Sequence, residues 1–446
     1  MYSLYSIVVL AIVLIASPWF IYQAVRYKKY VGSLGQRMGY LPVSFNMDAD
    51  ESIWIHAVSV GEVLTARPLI SDLRKRNPSL RIFLSTTTMA GQQLARRNVQ
   101  DVDAVFYFPF DLGVFVRRTL DLVRPRLFIM METEIWPNLL RECRRRGVKT
   151  AIVNGRLSPR SYPRYKMVRP LMRLVLDNID RFCVQSEESA RRFIDLGANP
   201  GRVVVTGSLK FDSLDLPSTA LQARSRDRVL RYFRVPVSRP VIVAGSTMKG
   251  EEAAVLRAFR RLRTTIPNAL LIVAPRNPER FAEVEHLCRA EGWKVAKRSD
   301  LAIDSEPRVD IVVLDSIGEL ATLYQVATVV FVGGSLVTTG GHNVLEPAVF
   351  GKPIVFGPHM ENFFEIADAF VTNGAGVQLS GERDLEEALL TLMGDPVRRA
   401  RLGAAARALV EANRGAKEKS VTVLADLLPG KPPAYPANVR PFRPLA

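Results

Sequence analysis

The chain has 446 residues, enough for two or three domains that each bury a core, and too many for a single small domain. Hydrophobic residues make up 48% and charged ones 24%, which excludes a disordered or low-complexity protein, and the net charge of +17 favours a polyanionic partner such as nucleic acid, an anionic membrane or a phosphorylated substrate. Three cysteines, Cys143, Cys183 and Cys288, show no CxxC spacing, so neither a disulfide framework nor a zinc knuckle is expected, and a reducing compartment fits.

No charged side chain precedes Arg26, and Leu4 to Val25 reads as one apolar run. About 20 apolar residues cross a bilayer, so the run predicts a single transmembrane anchor over residues 1–26. Arg26, Lys28, Lys29 and Arg37 come after it, which reverses the order of a signal peptide and keeps the rest of the chain on the cytoplasmic side. Trp19 and Tyr22 suit an interfacial belt. A polar connector is expected over residues 27–51.

Strand-length runs then alternate with helical patterns. They run Ile53 to Val60, Ile82 to Thr87, Ala104 to Pro109, Leu127 to Glu132, Thr150 to Asn154, Arg181 to Ser186 and Val203 to Ser208, with helices such as Glu62 to Arg76 between them. This is the pattern of βαβ units and a doubly wound parallel sheet, here over residues 52–212. A polar stretch over 213–239 reads as an interdomain linker. A second set occupies 240–428: Pro240 to Ser246, Ala269 to Pro275, Trp293 to Arg298, Ile311 to Asp315, Thr328 to Ser335 and Lys352 to Pro358. The tail over 429–446 is too proline-rich to pack. The fold class is therefore α/β, with two Rossmann-like domains and a cleft between them, and ligands are expected outside the carboxyl ends of the strands.

Five strings carry candidate chemistry. In HAVSVGE (His56 to Glu62) a strand is expected to end at Ser59–Val60, Gly61 to turn, and a helix to start at Glu62. That carboxylate either takes a proton from an acceptor hydroxyl or merely complements a helix dipole. In METEIWPN (Met131 to Asn138), Glu132 and Glu134 share a strand face or line a cleft from a loop. NGRLSPRSYPRY (Asn154 to Tyr165) begins a run of arginines, Arg156 first, that suits phosphate or forms a solvated basic face. No familiar nucleic-acid module is visible. AGSTMKGEE (Ala244 to Glu252) offers turn amides around Ser246 and Thr247 for a phosphate, and APRNPER (Ala274 to Arg280) places Arg276 at a strand end. The most specific string is FVGGSLVTTGGHNVLEPAVFGKPIVFGP (Phe331 to Pro358). There Gly340 and Gly341 precede His342, Asn343 and Glu346, a pattern that suits a phosphate and a ribose.

Together with TTTMAGQQLA (Thr86 to Ala95), TGSLKFD (Thr206 to Asp212) and PRNPERF (Pro275 to Phe281), these strings resemble the Kdo (3-deoxy-D-manno-octulosonic acid) transferases of lipopolysaccharide synthesis. The resemblance spans the anchor to about Leu428. It implies an inverting glycosyltransferase of the GT-B fold, with CMP-Kdo as donor, a phosphorylated, acylated glucosamine disaccharide (the lipid A precursor) as acceptor, the inner membrane as location, and neither metal nor cofactor. By motif match, Glu62 is the general base. Glu132, Glu134, Arg156 and Lys210 line the acceptor side. Ser246, Thr247, Arg276, Gly340, Gly341, Asn343 and Glu346 hold the donor. Met248 and Asn277 stand where the family carries histidines, so Arg276, Lys249 or Arg280 must balance donor charge instead. A transferase using a UDP-sugar, a sugar-nucleotide epimerase and an anchored binding protein are the rival readings.

Overall fold

A run such as Ile53–Trp54–Ile55 points large apolar groups to both faces of a strand, and only helices on both sides can cover them. In the computed structural model these runs form two parallel sheets of seven strands. The structure describes residues 2–27, 31–159, 161–212 and 229–428. The chain divides into two units, Met1–Ser213 with Arg414–Ala446, and Leu214–Asn413. Most of the expected linker (213–228) and the whole proline-rich tail lie outside the described residues.

In the first unit the strands are β1 Ser52–His56, β2 Arg81–Thr86, β3 Ala104–Tyr107, β4 Pro125–Met131, β5 Lys149–Gly155, β6 Arg181–Val184 and β7 Val203–Val205. Their order in the sheet is β3-β2-β1-β4-β5-β6-β7. The helices are α1 Tyr2–Tyr27, α2 Val31–Arg37, α3 Val60–Arg76, α4 Met89–Asn98, α5 Gly113–Val123, α6 Pro137–Arg146, α7 Tyr162–Met167, α8 Arg169–Leu176 and α9 Glu187–Asp195. Alternation along β1 divides the core. Trp54 joins Phe83, Phe106 and Phe128 on one face, while Ile53 and Ile55 join Leu69, Ile70 and Leu73 of α3 on the other. The order reverses between β1 and β4, so the crossovers there leave in opposite directions and open a crevice at the carboxyl ends.

The second unit repeats the plan. Its strands are β8 Val241–Thr247, β9 Leu270–Pro275, β10 Val295–Lys297, β11 Ile311–Val313, β12 Val329–Val332, β13 Ile354–Phe356 and β14 Val377–Gln378. The order is β10-β11-β9-β8-β12-β13-β14, with its reversal between β8 and β12. Its helices are α10 Glu251–Thr265, α11 Phe281–Ala290, α12 Leu320–Leu323, α13 Leu345–Ala348, α14 Phe364–Thr372, α15 Asp384–Gly394 and α16 Pro396–Ala412.

Several expectations need correction. The first strand stops at His56 rather than Val60, because Ser59 caps a helix that already begins at Val60, so Gly61 lies inside the first turn. The connector is part of the first unit: Leu41 is buried in its core and Phe45 stacks on Phe83 at 4.6 Å. The last helix, α17 Ala416–Ala425, was expected in the second domain but completes the first. Its Ala416, Val421 and Leu424 cover the α3 face of the sheet, and the Asp212 carboxylate accepts from the N–H groups of Gly415 (2.9 Å) and Lys417 (2.7 Å).

Helix α1 carries the expected anchor. Among the described residues, no helix is long and apolar enough to cross a membrane. The side chains of Trp19, Tyr22 and Arg26, and the whole of Lys28 and Lys29, lie outside the described residues.

Asp212 therefore acts as a tertiary cap for α17. Asp212→Ala is expected to destabilise that helix by about 1–2 kcal/mol. Hydrogen exchange should show faster exchange at the amides of residues 415 and 417, with the β1 and β4 amides unaffected.

Candidate active site

The crevice at the β1/β4 reversal gathers carboxylates. Ser59 caps α3, its Oγ accepting from the Glu62 N–H at 3.5 Å and donating to Glu62 Oε1 at 3.0 Å. The Val58 N–H donates to Glu62 Oε2 at 2.8 Å. Glu62 thus lies in the first turn of α3, and its side chain is fixed at the strand's carboxyl end. It is charge-coupled to Glu132 and Glu134, which come after β4, the strand paired with β1. Neither glutamate lies in the strand: Glu132 stands just beyond it with φ 56°, which turns the chain so that both serve one crevice.

Burial pushes the Glu62 carboxyl up to about 7, and the Glu132 charge adds to that. Burial also pushes Glu134 to about 7, with Glu62 and Glu132 next in importance. Arg156, one residue past β5, donates from Nε to Glu132 at 3.1 Å. It thereby partly balances the cluster. His56 is fully buried at the end of β1. Its Nδ1 meets Ser85 Oγ at 3.0 Å, and its Nε2 lies 3.9 Å from Glu134 without a hydrogen-bond partner among the described residues. Burial lowers its pKa to about 3, so it stands beside Glu134 as a neutral ring. Lys210 lies farther along, in the turn after β7, where Asn154 Oδ1 accepts from the neighbouring Leu209 N–H at 2.9 Å. Three strand spacings, roughly 14 Å, separate β7 from β4. So Glu62, Glu132, Glu134 and Arg156 come together, while Lys210 borders the same edge of the sheet.

The second unit uses its own β8/β12 reversal differently. Ser246 sits at φ 57° within a register shift of β8, and Thr247 is buried with an Oγ1 that has no partner among the described residues. A Cβ at Gly333 would come within 2.7 Å of the Ser246 carbonyl oxygen, so only glycine lets β12 approach. The amides after it are already occupied. Buried Glu251 accepts from Gly334 (2.6 Å), Ser335 (2.9 Å), Leu336 (2.8 Å) and Met248 (2.8 Å). The expectation that turn amides beside Ser246 and Thr247 hold a phosphate is therefore corrected at Met248, whose N–H is committed to this internal anion.

What remains open lies around the second glycine pair. Gly340 and Gly341 hold φ 90° and 74°. Asn343 Oδ1 accepts from the Leu345 N–H at 3.1 Å, and its Nδ2 donates to Glu346 Oε1 at 3.2 Å. Arg276 comes directly after β9, is exposed, and lies close enough to His342 and Glu346 to act on both electrostatically. Burial, then Arg276, lowers His342 to about 4, and its Nε2 has no partner among the described residues. Burial raises the Glu346 carboxyl, opposed by Asn343 and Arg276. Of the expected charge-balancing residues, Arg280 is committed to Glu252 (2.7 and 3.1 Å) and Glu283 (3.2 Å). Of the other two, Arg276 and Lys249 are both exposed, and Arg276 acts electrostatically on His342. The sequence places His342 inside the Gly340–Asn343 turn but assigns no role to Glu251; a ring nitrogen without a partner among the described residues and a quadruply bonded carboxylate exist only in three dimensions. Among the described residues, no group of three or more His, Cys, Asp or Glu side chains is arranged to hold a metal ion.

Comparison with known proteins gives a consistent family. Residues 32–213 match a family model described as 3-deoxy-D-manno-octulosonic-acid transferase (kdotransferase). A protein of that name from Haemophilus influenzae is 34% identical over 406 residues, covering 91% of this chain and 93% of the relative. One from Bordetella pertussis is 34% identical over 388 residues, covering 84% and 87%. Among solved structures, the UDP-GlcNAc 2-epimerase of Neisseria meningitidis covers 84% of this chain at 12% identity with a TM-score of 0.58, a likeness of fold alone.

This arrangement has two measurable outcomes. Glu251→Ala leaves four amide donors without their acceptor and is expected to destabilise the protein by about 3 kcal/mol, read as a lower urea midpoint. The raised carboxyls act on pH dependence. Between the ordinary value of 4.5 and about 7 the native state binds more protons than the unfolded chain, so stability falls as pH rises through that window. Glu62→Gln should flatten that fall in denaturant titrations repeated from pH 4.5 to 8.

Proposed function

The chain belongs to the 3-deoxy-D-manno-octulosonic acid transferase family, and on that premise we propose how its residues move Kdo from CMP-Kdo to the lipid A precursor in lipopolysaccharide core synthesis. The observation that carries the mechanism is Glu62, a carboxylate held by two short-range bonds in a buried acidic crevice and titrating near neutrality. A base is most effective when its pKa lies near the working pH. Glu62 takes the proton from an acceptor sugar hydroxyl. The freed oxygen bonds to the anomeric carbon of Kdo from the face opposite the phosphate. The bond from that carbon to the phosphate oxygen breaks, CMP departs with the electron pair, and configuration inverts.

The donor side falls to the second unit. Arg276 stabilises the phosphate as charge develops on it. Neutral His342 donates or accepts one hydrogen bond there, which offsets the missing histidines at Met248 and Asn277. The Gly340–Gly341 turn allows close approach, and Asn343 orients Glu346 toward ribose hydroxyls. On the acceptor side, Arg156 holds Glu132 and faces anionic headgroup atoms, with Glu134 and Lys210 completing the edge. Attachment to the inner membrane, with both units on the cytoplasmic side, belongs to the same proposal. The apolar run from Leu4 to Val25 and the basic residues after it support it.

Transfer by the purified protein from CMP-Kdo to the tetra-acylated lipid A precursor, read by mass spectrometry, tests the reaction. CMP should inhibit it and UDP should not. Glu62→Gln is expected to slow transfer by about 10²–10⁴-fold with the fold retained. Because the base must be ionised, kcat/KM should rise with pH through about 7, and not through the ordinary carboxylate range. Arg276→Ala should weaken CMP-Kdo binding about tenfold or more while leaving acceptor KM near its original value. Equal effects on both substrates would remove the donor role.

A further inference from the structure

The membrane attachment proposed above has a geometry that the apolar run alone does not suggest. The amino end of α1 is fastened to the first unit. Tyr2 Oη accepts from Asn178 Nδ2 at 2.8 Å and donates to the Leu174 carbonyl at 3.4 Å, and the Arg141 guanidinium lies 4.7 Å over its ring. Ser6 and Asn138 are hydrogen-bonded through their side chains at 3.0 Å. Tyr2, Tyr5, Ser6, Val9, Val13 and Ser17 recur at three- and four-residue steps and are half-buried, so they form one face of the helix. The opposite face exposes Leu4, Ile7, Val8, Ile12, Leu14 and Ile15.

Beyond the other end of α1 the chain is again fastened to the same unit. Residues 28–30 alone separate it from α2, where the Arg37 carbonyl accepts from the Phe110 N–H at 2.8 Å and Gln36 Oε1 from the Tyr107 N–H at 2.9 Å. A hydrocarbon core is about 30 Å thick, and three residues reach about 10 Å at most. A helix that crossed the bilayer would carry Tyr2 to the far side, away from Asn178 and Arg141. It cannot do that and keep these bonds.

We propose that α1 attaches the protein by lying in the plane of the membrane interface, one face on the first unit and the apolar face among acyl chains, instead of crossing. This rests on the membrane attachment proposed above. The chemistry of the partner is that of an anionic lipid surface. Beside Leu174, which α1 touches through Tyr2, Met167 (84% exposed) and Val168 extend the apolar surface. Exposed Arg164, Lys166, Arg169 and Arg173 surround them; Lys166 and Arg169 share Asp195, so the set stays net positive. Such a pairing of apolar face and basic rim suits an interfacial helix buried about 5–10 Å. It also serves the reaction. Tyr165, on the same α7 as Met167, is close enough to Glu134 to feel its charge. A lipid acceptor can thus keep its chains in the interface while its headgroup meets the carboxylates.

The test uses the full chain in inner-membrane vesicles. All three native cysteines are buried, so Ser3→Cys on exposed Ser3 places one reactive thiol near the amino end of α1. Ser238→Cys, also exposed, reports the side on which the second unit lies. A membrane-impermeant maleimide should modify both from the cytoplasmic side, in inverted vesicles, and neither in right-side-out ones. Modification of Ser3→Cys only from the opposite side overturns the in-plane helix and leaves the attachment standing. Recovery of the chain outside the membrane fraction overturns the attachment itself. As a second arm, Ile7→Lys combined with Ile15→Lys should lower binding to phosphatidylglycerol-containing vesicles about tenfold or more, with transfer to detergent-dispersed acceptor unchanged. Undiminished vesicle binding would sink the proposed lipid face.

Discussion

Parallel strands buried on both faces can present polar chemistry to solvent only beyond their ends. In this protein that constraint places most of the candidate site residues. Each sheet reverses its order once, at β1/β4 and at β8/β12, and the crossovers part there. Glu62, Glu132 and Glu134 stand at the first reversal. Thr247, Gly333 and Glu251 stand at the second. The strands behind them are almost wholly apolar, so these side chains are held against a rigid, low-dielectric wall. Burial is accordingly the first cause of the raised carboxyls at Glu62 and Glu134.

The two reversals solve opposite electrostatic problems. The first unit brings three carboxylates together and answers them with one close guanidinium, Arg156, and a neutral His56. Burial first, with the Glu132 charge added, raises the Glu62 carboxyl to about 7. The second unit gathers amide donors and satisfies them with its own Glu251, which fixes the β12 turn without a ligand. The proposed mechanism then gives the anionic donor to Arg276 and to the His342 ring nitrogen, which has no partner among the described residues. Arg280 is paired to Glu252 and Glu283, so in the proposed mechanism the donor phosphate falls to Arg276 and His342.

The proposed membrane attachment completes the same logic. In that proposal the acceptor is a lipid, and a helix along the interface would keep α7 and its neighbours at the depth where a headgroup lies. The basic balance of the chain, which the composition alone could not assign to a partner, acquires a place at α7 and α8.

Alternating apolar runs, their spacing and the strings at their ends were enough to foresee two doubly wound domains, the family, and most of the residues at the carboxyl ends. Periodicity and turn chemistry are local, and motifs are linear, so both are legible in the sequence. The end of the first strand was placed too late, beyond His56, because Ser59 competes as a helix cap, and that competition depends on a side chain's geometry. The fate of α17 and of the connector depended on which exposed apolar surface each could cover, a long-range choice. Only the tertiary structure could bring Glu62 to Glu132 and Glu134, since β1 and β4 are neighbours in space and some seventy residues apart in sequence. Likewise, the apolar run from Leu4 to Val25 states that the segment prefers lipid. Whether it crosses or lies flat depends on what its ends are bonded to, and those bonds join residues far apart in the chain.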